Sequence, residues 1–279
     1  MAVVQTRVVS GHGDVVRELR AAAPLMAALR APIPARAPWL TAVLNVTAAR
    51  CGSGRPVAVV VEREPGQGPD GLALLTARRR GPALHLTLLG DGLGPLPPGR
   101  PPARLLARDD EVAAQLAAGV LGLVAGRRAP WQLSLSGLPL GDPTSRALGS
   151  LRPEAAFGTA RTARLVDRLD DLGAPVVRSR DPREVERLLP ALLVAQPDTR
   201  SRLLLRATAR LHASVGQVEV AVAAEGASVR AALLTLVDGV DRQPWVGCGE
   251  PAALGQEMGA PATSLRLADR WFNRPAVPR

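Results

Sequence analysis

Apolar residues in this chain alternate between helical and strand-like spacing, and glycine or proline marks most of the changes. Val3 to Val9 is a short β-rich run broken by Gly11 and Gly13. Asp14 then caps a predicted helix to about Arg30, with Val15, Val16, Leu19, Leu25, Met26 and Leu29 on its apolar side despite Pro24. After the proline-rich hinge Pro32 to Pro38, residues Trp39 to Arg50 predict a second helix through Leu40, Val43, Leu44 and Thr47. Three β-like runs follow, Pro56 to Glu62, Gly71 to Ala77 and Ala83 to Leu89, separated by turn residues, which predicts an antiparallel meander. A Gly/Pro-rich loop occupies Gly90 to Pro102. Asp109 to Gly126 is a capped amphipathic helix, Trp131 to Ser136 alternates as a strand, and Asp142 with Pro143 opens a short helix to Leu151.

The order begins again after Pro153. A strand at Phe157 to Val166 precedes a helix started by Asp181 and Pro182, then a helix at Thr199 to Ala213. Gln217 to Ala224 and Ser228 to Val237 predict a hairpin turned by Gly226. A short strand at Gln243 to Val246, a modest helix at Pro251 to Met258 and a strand at Thr263 to Ala268 complete the pattern. Strand, helix, helix, three strands, helix, strand is therefore expected twice. The 279 residues exceed the usual single-domain size, so the prediction is an α/β chain with mixed sheets in two domains, 1–155 and a shorter 156–279.

Composition changes this picture in two ways. Hydrophobic residues at 47% exclude wholesale disorder. The formal charge of +10 would point to nucleic acid or an anionic membrane, but every basic residue is Arg, Ile occurs only at Ile33, and Tyr is absent. That is the bias of a high-GC genome, so Arg fills positions that Lys fills elsewhere. Aromatic residues at 2% leave little on which bases could stack, so no specific nucleic-acid partner is expected. The runs Arg78 to Arg80 and Arg127 with Arg128 read as solvated surface. Cys51 and Cys248 are too sparse for a disulfide scaffold or a zinc site and read as free thiols of a cytoplasmic protein. No apolar run is long enough for a membrane span. Asp14 and Glu18 in a would-be n-region argue against a signal sequence.

APWLTAV at Ala37 to Val43, PVAVVVER at Pro56 to Arg63, GLALLTARRRGPALHLTLLGDGLG at Gly71 to Gly94 and WQLSLSGLP at Trp131 to Pro139 resemble the CelD-like acetyltransferases of the GNAT superfamily, named for cellulose biosynthesis. This resemblance covers the first half; the order of elements extends it to a tandem pair of GNAT-like domains, the second degenerate. In that fold a meander leads into a helix whose N-terminus holds the coenzyme A pyrophosphate. The resemblance implies acetyl-CoA or another acyl-CoA as cofactor, usually in the second domain, and a small-molecule amine or sugar amine as acceptor.

The matching place in the second half reads QPWVGCGEP, with Gln243, Gly247, Cys248 and Gly249 as the candidate cofactor-binding residues. Backbone N–H groups of a glycine-rich turn at a helix N-terminus are preorganised donors to phosphate. The spacing is one residue longer than the family pattern, Glu250 places a negative charge where the pyrophosphate would sit, and Pro251 removes a donor. An ordinary turn leading to a helix with Pro251 at its first position fits the same residues. Gly90, Asp91, Gly92 and Gly94 form a second glycine cluster, read as a loop.

Catalytic groups are less distinct. Glu219, Glu225 and Asp238 are carboxylates that could act as a base, or outward-facing polar positions. Cys248 at a helix N-terminus would be a thiolate candidate. His12, His85 and His212 are too scattered for a metal site, and none is expected. Two functions stay open: an N-acyltransferase, and a degenerate GNAT-fold binding or assembly module. A basic nucleic-acid binder is the weaker third.

Overall fold

The computed structural model describes residues 4–49, 52, 54–64, 66–226 and 228–269. Cys51, and with it half of the free-thiol expectation, lies outside the described residues. The first strand, β1 (Gln5–Ser10), leads to α1 (His12–Ala21) and α2 (Ala23–Ala28), then to α3 (Ala37–Ala48). The single helix expected from Asp14 to Arg30 is thus two. Pro24, which has no N–H to donate, stands in the first turn of α2.

The predicted meander is present as β2 (Arg55–Glu62), β3 (Gly71–Arg80) and β4 (Ala83–Leu88), antiparallel throughout. After a short strand β5 (Leu105–Ala107) come α4 (Asp110–Gly122), β6 (Trp131–Pro139) and α5 (Pro143–Leu151). Both helices are capped by aspartates: Asp109 accepts from the Val112 N–H and Asp142 from that of Ser145. Five consecutive residues of β2, Val57 to Val61, are buried, because this strand is covered on both faces. Val57, Val59 and Val61 share a core with Val112, Leu116 and Val120 of α4. Ala58 and Val60 point the opposite way, toward the side on which α1 packs.

The second run of elements is β7 (Ala156–Asp167), β8 (Val176–Ser179), α6 (Pro182–Val194), α7 (Thr199–Ala213), β9 (Val218–Glu225), β10 (Ser228–Asp238), β11 (Asp241–Gly249) and β12 (Leu254–Ala268). Two sheets result. The larger has the order β1-β2-β3-β4-β6-β12-β7 with β5 beside β3, and the smaller is β11-β10-β9-β8. The mixed α/β expectation therefore holds: β4 and β6 are parallel, while the neighbouring pairs described in both sheets are antiparallel. Among the described residues no helix is long and apolar enough to cross a membrane.

The repeat is incomplete. The helix expected over Pro251 to Met258 is a 3-10 turn at Pro251–Ala253 running straight into β12. Gly255, Gly259 and Pro261 all weaken a helix there. Strand β12 does not return to the second sheet but pairs antiparallel with β6, Leu265 opposite Leu135 and Leu267 opposite Leu133. The compact units are accordingly interleaved: one comprises the described parts of Met1–Asp91, Pro102–Ala160 and Ala262–Arg279, the other Gly92–Pro101 and Arg161–Pro261. Leu265 and Leu267 are buried in the first unit's core beside Leu133, Leu135 and Trp131.

Leu267→Ala is expected to cost about 2–5 kcal/mol through the cavity it leaves. In deuterium exchange, the faster opening should appear in β6 and β2 peptides and spare β9 and β10. Faster exchange in β9 and β10 instead would show that β12 belongs to the other unit.

Candidate functional site

In the second unit, the four residues expected to cradle a pyrophosphate lie on one strand. Gln243, Gly247, Cys248 and Gly249 are all in β11, paired with Leu236, Leu233, Ala232 and Ala231 of β10. The Gln243 side-chain amide donates to the Pro98 carbonyl at 2.9 Å, and the Trp245 indole N–H donates to the Pro95 carbonyl at 2.9 Å. The segment Gly92–Pro101, which belongs to the same unit, thus engages the side chains of Gln243 and Trp245. A Cβ on Gly247 would lie 2.6 Å from Leu254 Cδ1, and one on Gly249 would collide with the Arg230 carbonyl. Gly249 also sits at φ 107. Both glycines therefore have packing reasons to be there.

Glu250 ends the strand with its N–H donated to the Arg230 carbonyl at 3.1 Å. Its carboxylate accepts Arg230 Nε and Nη2 at 2.6 and 3.0 Å. Arg230 holds the Glu250 carboxyl below its ordinary value. The charge expected to repel a phosphate is thus neutralised locally. What a phosphate would need is absent: a 3-10 turn of three residues follows, so no helix dipole stands behind these amides.

The base candidates divide. Glu219, read as an exposed position, is buried and paired through both oxygens with Arg242, with Arg180 at 3.6 Å. Burial suits a carboxylate only when such a partner is present. Arg242 holds its carboxyl below the ordinary range, the wrong direction for a base. Glu225 is exposed, 3.8 Å from Arg230, and Asp238 lies at the β10–β11 turn opposite Asp241. Cys248 is half-buried on a strand, and burial pushes its thiol up, away from a thiolate. His212 is fully buried with Nδ1 2.9 Å from Gln217 Oε1. Among the described residues no group of His, Cys, Asp and Glu could hold a metal ion.

In the first unit, the helix that follows the meander fills its own N-terminus. Asp109 caps α4, Asp110 and Glu111 occupy the first turn, and Arg63 Nη2 reaches Asp109 at 2.6 Å and Glu111 at 3.2 Å. An incoming phosphate would meet three carboxylates at the positive end of this dipole.

A different feature of this unit was not legible in the sequence. β4 and β6 are parallel only over Leu84–Thr87 and Trp131–Ser134, and such a pair leaves a crevice beyond its carboxyl ends. Here the Ser136 hydroxyl donates to Asp91 Oδ1 at 2.8 Å. Leu88 lies opposite Leu75 of β3, and Leu105 of β5 lies opposite Ala73, so β5 resumes the edge that β4 leaves. The neck of the intervening excursion is tied by Arg104, whose Nη1 donates to the Leu89 carbonyl at 2.6 Å. Arg104 is 5% exposed, its Nε and Nη2 have no partner, and Ala103 before it adopts φ 46. Burial lowers its pKa to about 10, which leaves it cationic at neutral pH. A Cβ on Gly90 would crowd Val43 Cγ1 at 2.8 Å. In sequence, Arg104 is one more arginine after a proline-rich loop, and only its position before the apolar Leu105 and Leu106 hints at burial.

No protein-family model matches this chain, and no curated protein is similar to it in sequence. Among solved structures, it is similar to a tandem GNAT protein from the clavulanic acid biosynthesis pathway, at 14% identity and a TM-score of 0.41, over 95% of this chain and 98% of the other. A conserved protein of unknown function from Bacteroides thetaiotaomicron is 9% identical, with a TM-score of 0.44, over 82% and 90%. A GCN5-related N-acetyltransferase from Kribbella flavida is 14% identical, with a TM-score of 0.35, over 94% and 71%. All three likenesses are slight.

Glu219→Gln should cost about 1–3 kcal/mol at neutral pH, since it removes a charge-assisted bond at a buried position. Because the native carboxyl titrates below its unfolded value of about 4.3, that stabilisation is complete above this value. It fades as pH falls through the lower native one. Urea melts of the two proteins should therefore differ at pH 7 and converge in strong acid; equal stability at pH 7 would remove the structural role given to this pair.

Proposed function

We propose that this chain is an acyltransferase-type scaffold serving as a binding module, not an acyl-CoA-dependent transferase. The scaffold reading rests on the first unit's element order: a strand, helices, a three-strand meander, then a helix crossing to the parallel strand β6. The observation that carries the non-catalytic reading is the run from β11 into β12. Gln243, Gly247, Cys248 and Gly249 are ladder residues, Gln243 is engaged by Pro98, and a strand stands where the phosphate-binding helix is required. The N-terminus of α4 supports it independently, because its own carboxylates occupy the place of an anion.

The groups nearest the candidate loop favour the same reading. Acyl transfer to an amine needs a base whose pKa approaches the working pH. Glu219 and Glu250 are both held low by arginines, and Cys248 is held protonated. Tyr, a common acid in this fold, does not occur in the sequence. A small-molecule ligand or a protein partner then replaces an amine acceptor as the natural target, and fold alone does not decide between them.

Acetyl-CoA at millimolar concentration is expected to leave the melting temperature unchanged. Binding at a hundred times the dissociation constant would stabilise by about 2.7 kcal/mol, a shift of several degrees for a chain of this size. A clear shift that Gln243→Ala abolishes would restore the transferase reading.

A further inference from the structure

Most arginines with described side-chain partners in this chain reach a carboxylate, and several do so through the same two atoms. Arg230 grips Glu250, and Arg187 grips Glu184, with Nε and Nη2, the two parallel donors on one side of the guanidinium. Arg210 meets Glu186 in the same way. Arg104 presents that fork with nothing in it. Nη1 is anchored on Leu89, while Nε and Nη2 are buried and unpartnered. The nearest acid that acts on it, Asp91, forms no ion pair with it and is instead bonded to Ser136.

We propose that the Nε/Nη2 fork of Arg104, at the carboxyl end of β4, is the binding site for the carboxylate group of a small molecule. This names a ligand class for the binding module proposed above and rests on that reading. A buried guanidinium without a counter-charge is unfavourable, and a carboxylate matches the fork with two parallel N–H···O bonds. One negative charge neutralises the one cation. A phosphate dianion would leave a surplus negative charge beside Asp91, which selects the carboxylate. Access comes from the crevice side, where Asp91 is exposed two residues beyond Leu89, at which the neck is tied.

The probe is sodium acetate, titrated at constant ionic strength against sodium chloride, with sodium phosphate as a separate arm. In the wild-type chain the melting temperature should rise with the logarithm of acetate concentration, and chloride should not reproduce it. Arg104→Met should abolish the acetate response while melting at or above the wild-type temperature in chloride, since it removes an uncompensated buried charge. Where that variant does not fold, the Arg104 Nε–H resonance in the wild-type protein gives the same answer, shifting saturably with acetate. Equal responses to acetate and chloride, a resonance that acetate does not move, or a larger response to phosphate than to acetate would each overturn the proposal. A shift with acetyl-CoA, which carries no carboxylate, would overturn the module reading and leave this outcome to be read separately.

Discussion

The outer edge of β6 is the constraint from which most of this architecture follows. Its alternating residues Trp131, Leu133 and Leu135 face the core, and β4 pairs with it over only four residues. The other edge carries unpaired backbone groups that need a partner strand, and β12 supplies it together with Leu265 and Leu267. With β12 committed there, the second sheet ends at β11. The residues between β11 and β12 are then too few to form a helix.

With β12 committed there, the glycine-rich stretch of β11 leads into a three-residue 3-10 turn and a strand. Gly249 is required by the closeness of the Arg230 carbonyl, a packing demand of the β10–β11 pair, and Gly247 packs against the Leu254 side chain. The chain's excursion over Gly92–Pro101 meets Gln243 and Trp245 through backbone carbonyls, and so satisfies the polar groups that a ligand would have used.

Arginine dominates the electrostatics, and the fold distributes it by pairing. Glu219, Glu250, Asp109 and Glu186 each sit on a guanidinium, which keeps them ionised and poor as bases. Arg78 to Arg80 and Arg127 with Arg128 are exposed, in keeping with a solvated surface. Against this background a buried guanidinium with two free donors stands apart, since burial of charge is tolerated only with compensation.

By itself the sequence determined the elements whose signals are local. The meander from Pro56 to Leu89, the caps at Asp109, Asp142 and Asp181, and the β9–β10 hairpin all follow from periodicity, turn residues and side-chain acceptors near their own amides. The tertiary structure alone decided whatever depends on contacts distant in sequence. Leu254 to Met258, already weakened as a helix by Gly255, extends as a strand whose later part pairs with β6 more than a hundred residues earlier in the chain. Glu219 reads as one more alternating polar position, and only the approach of Arg242 from β11, across the intervening β10, makes it a buried ion pair. Arg104 reads as surface in a chain full of arginine. Its burial is set by β4 and β5 sharing one edge of β3, a register that no local pattern encodes because it is fixed by backbone pairing across a long excursion.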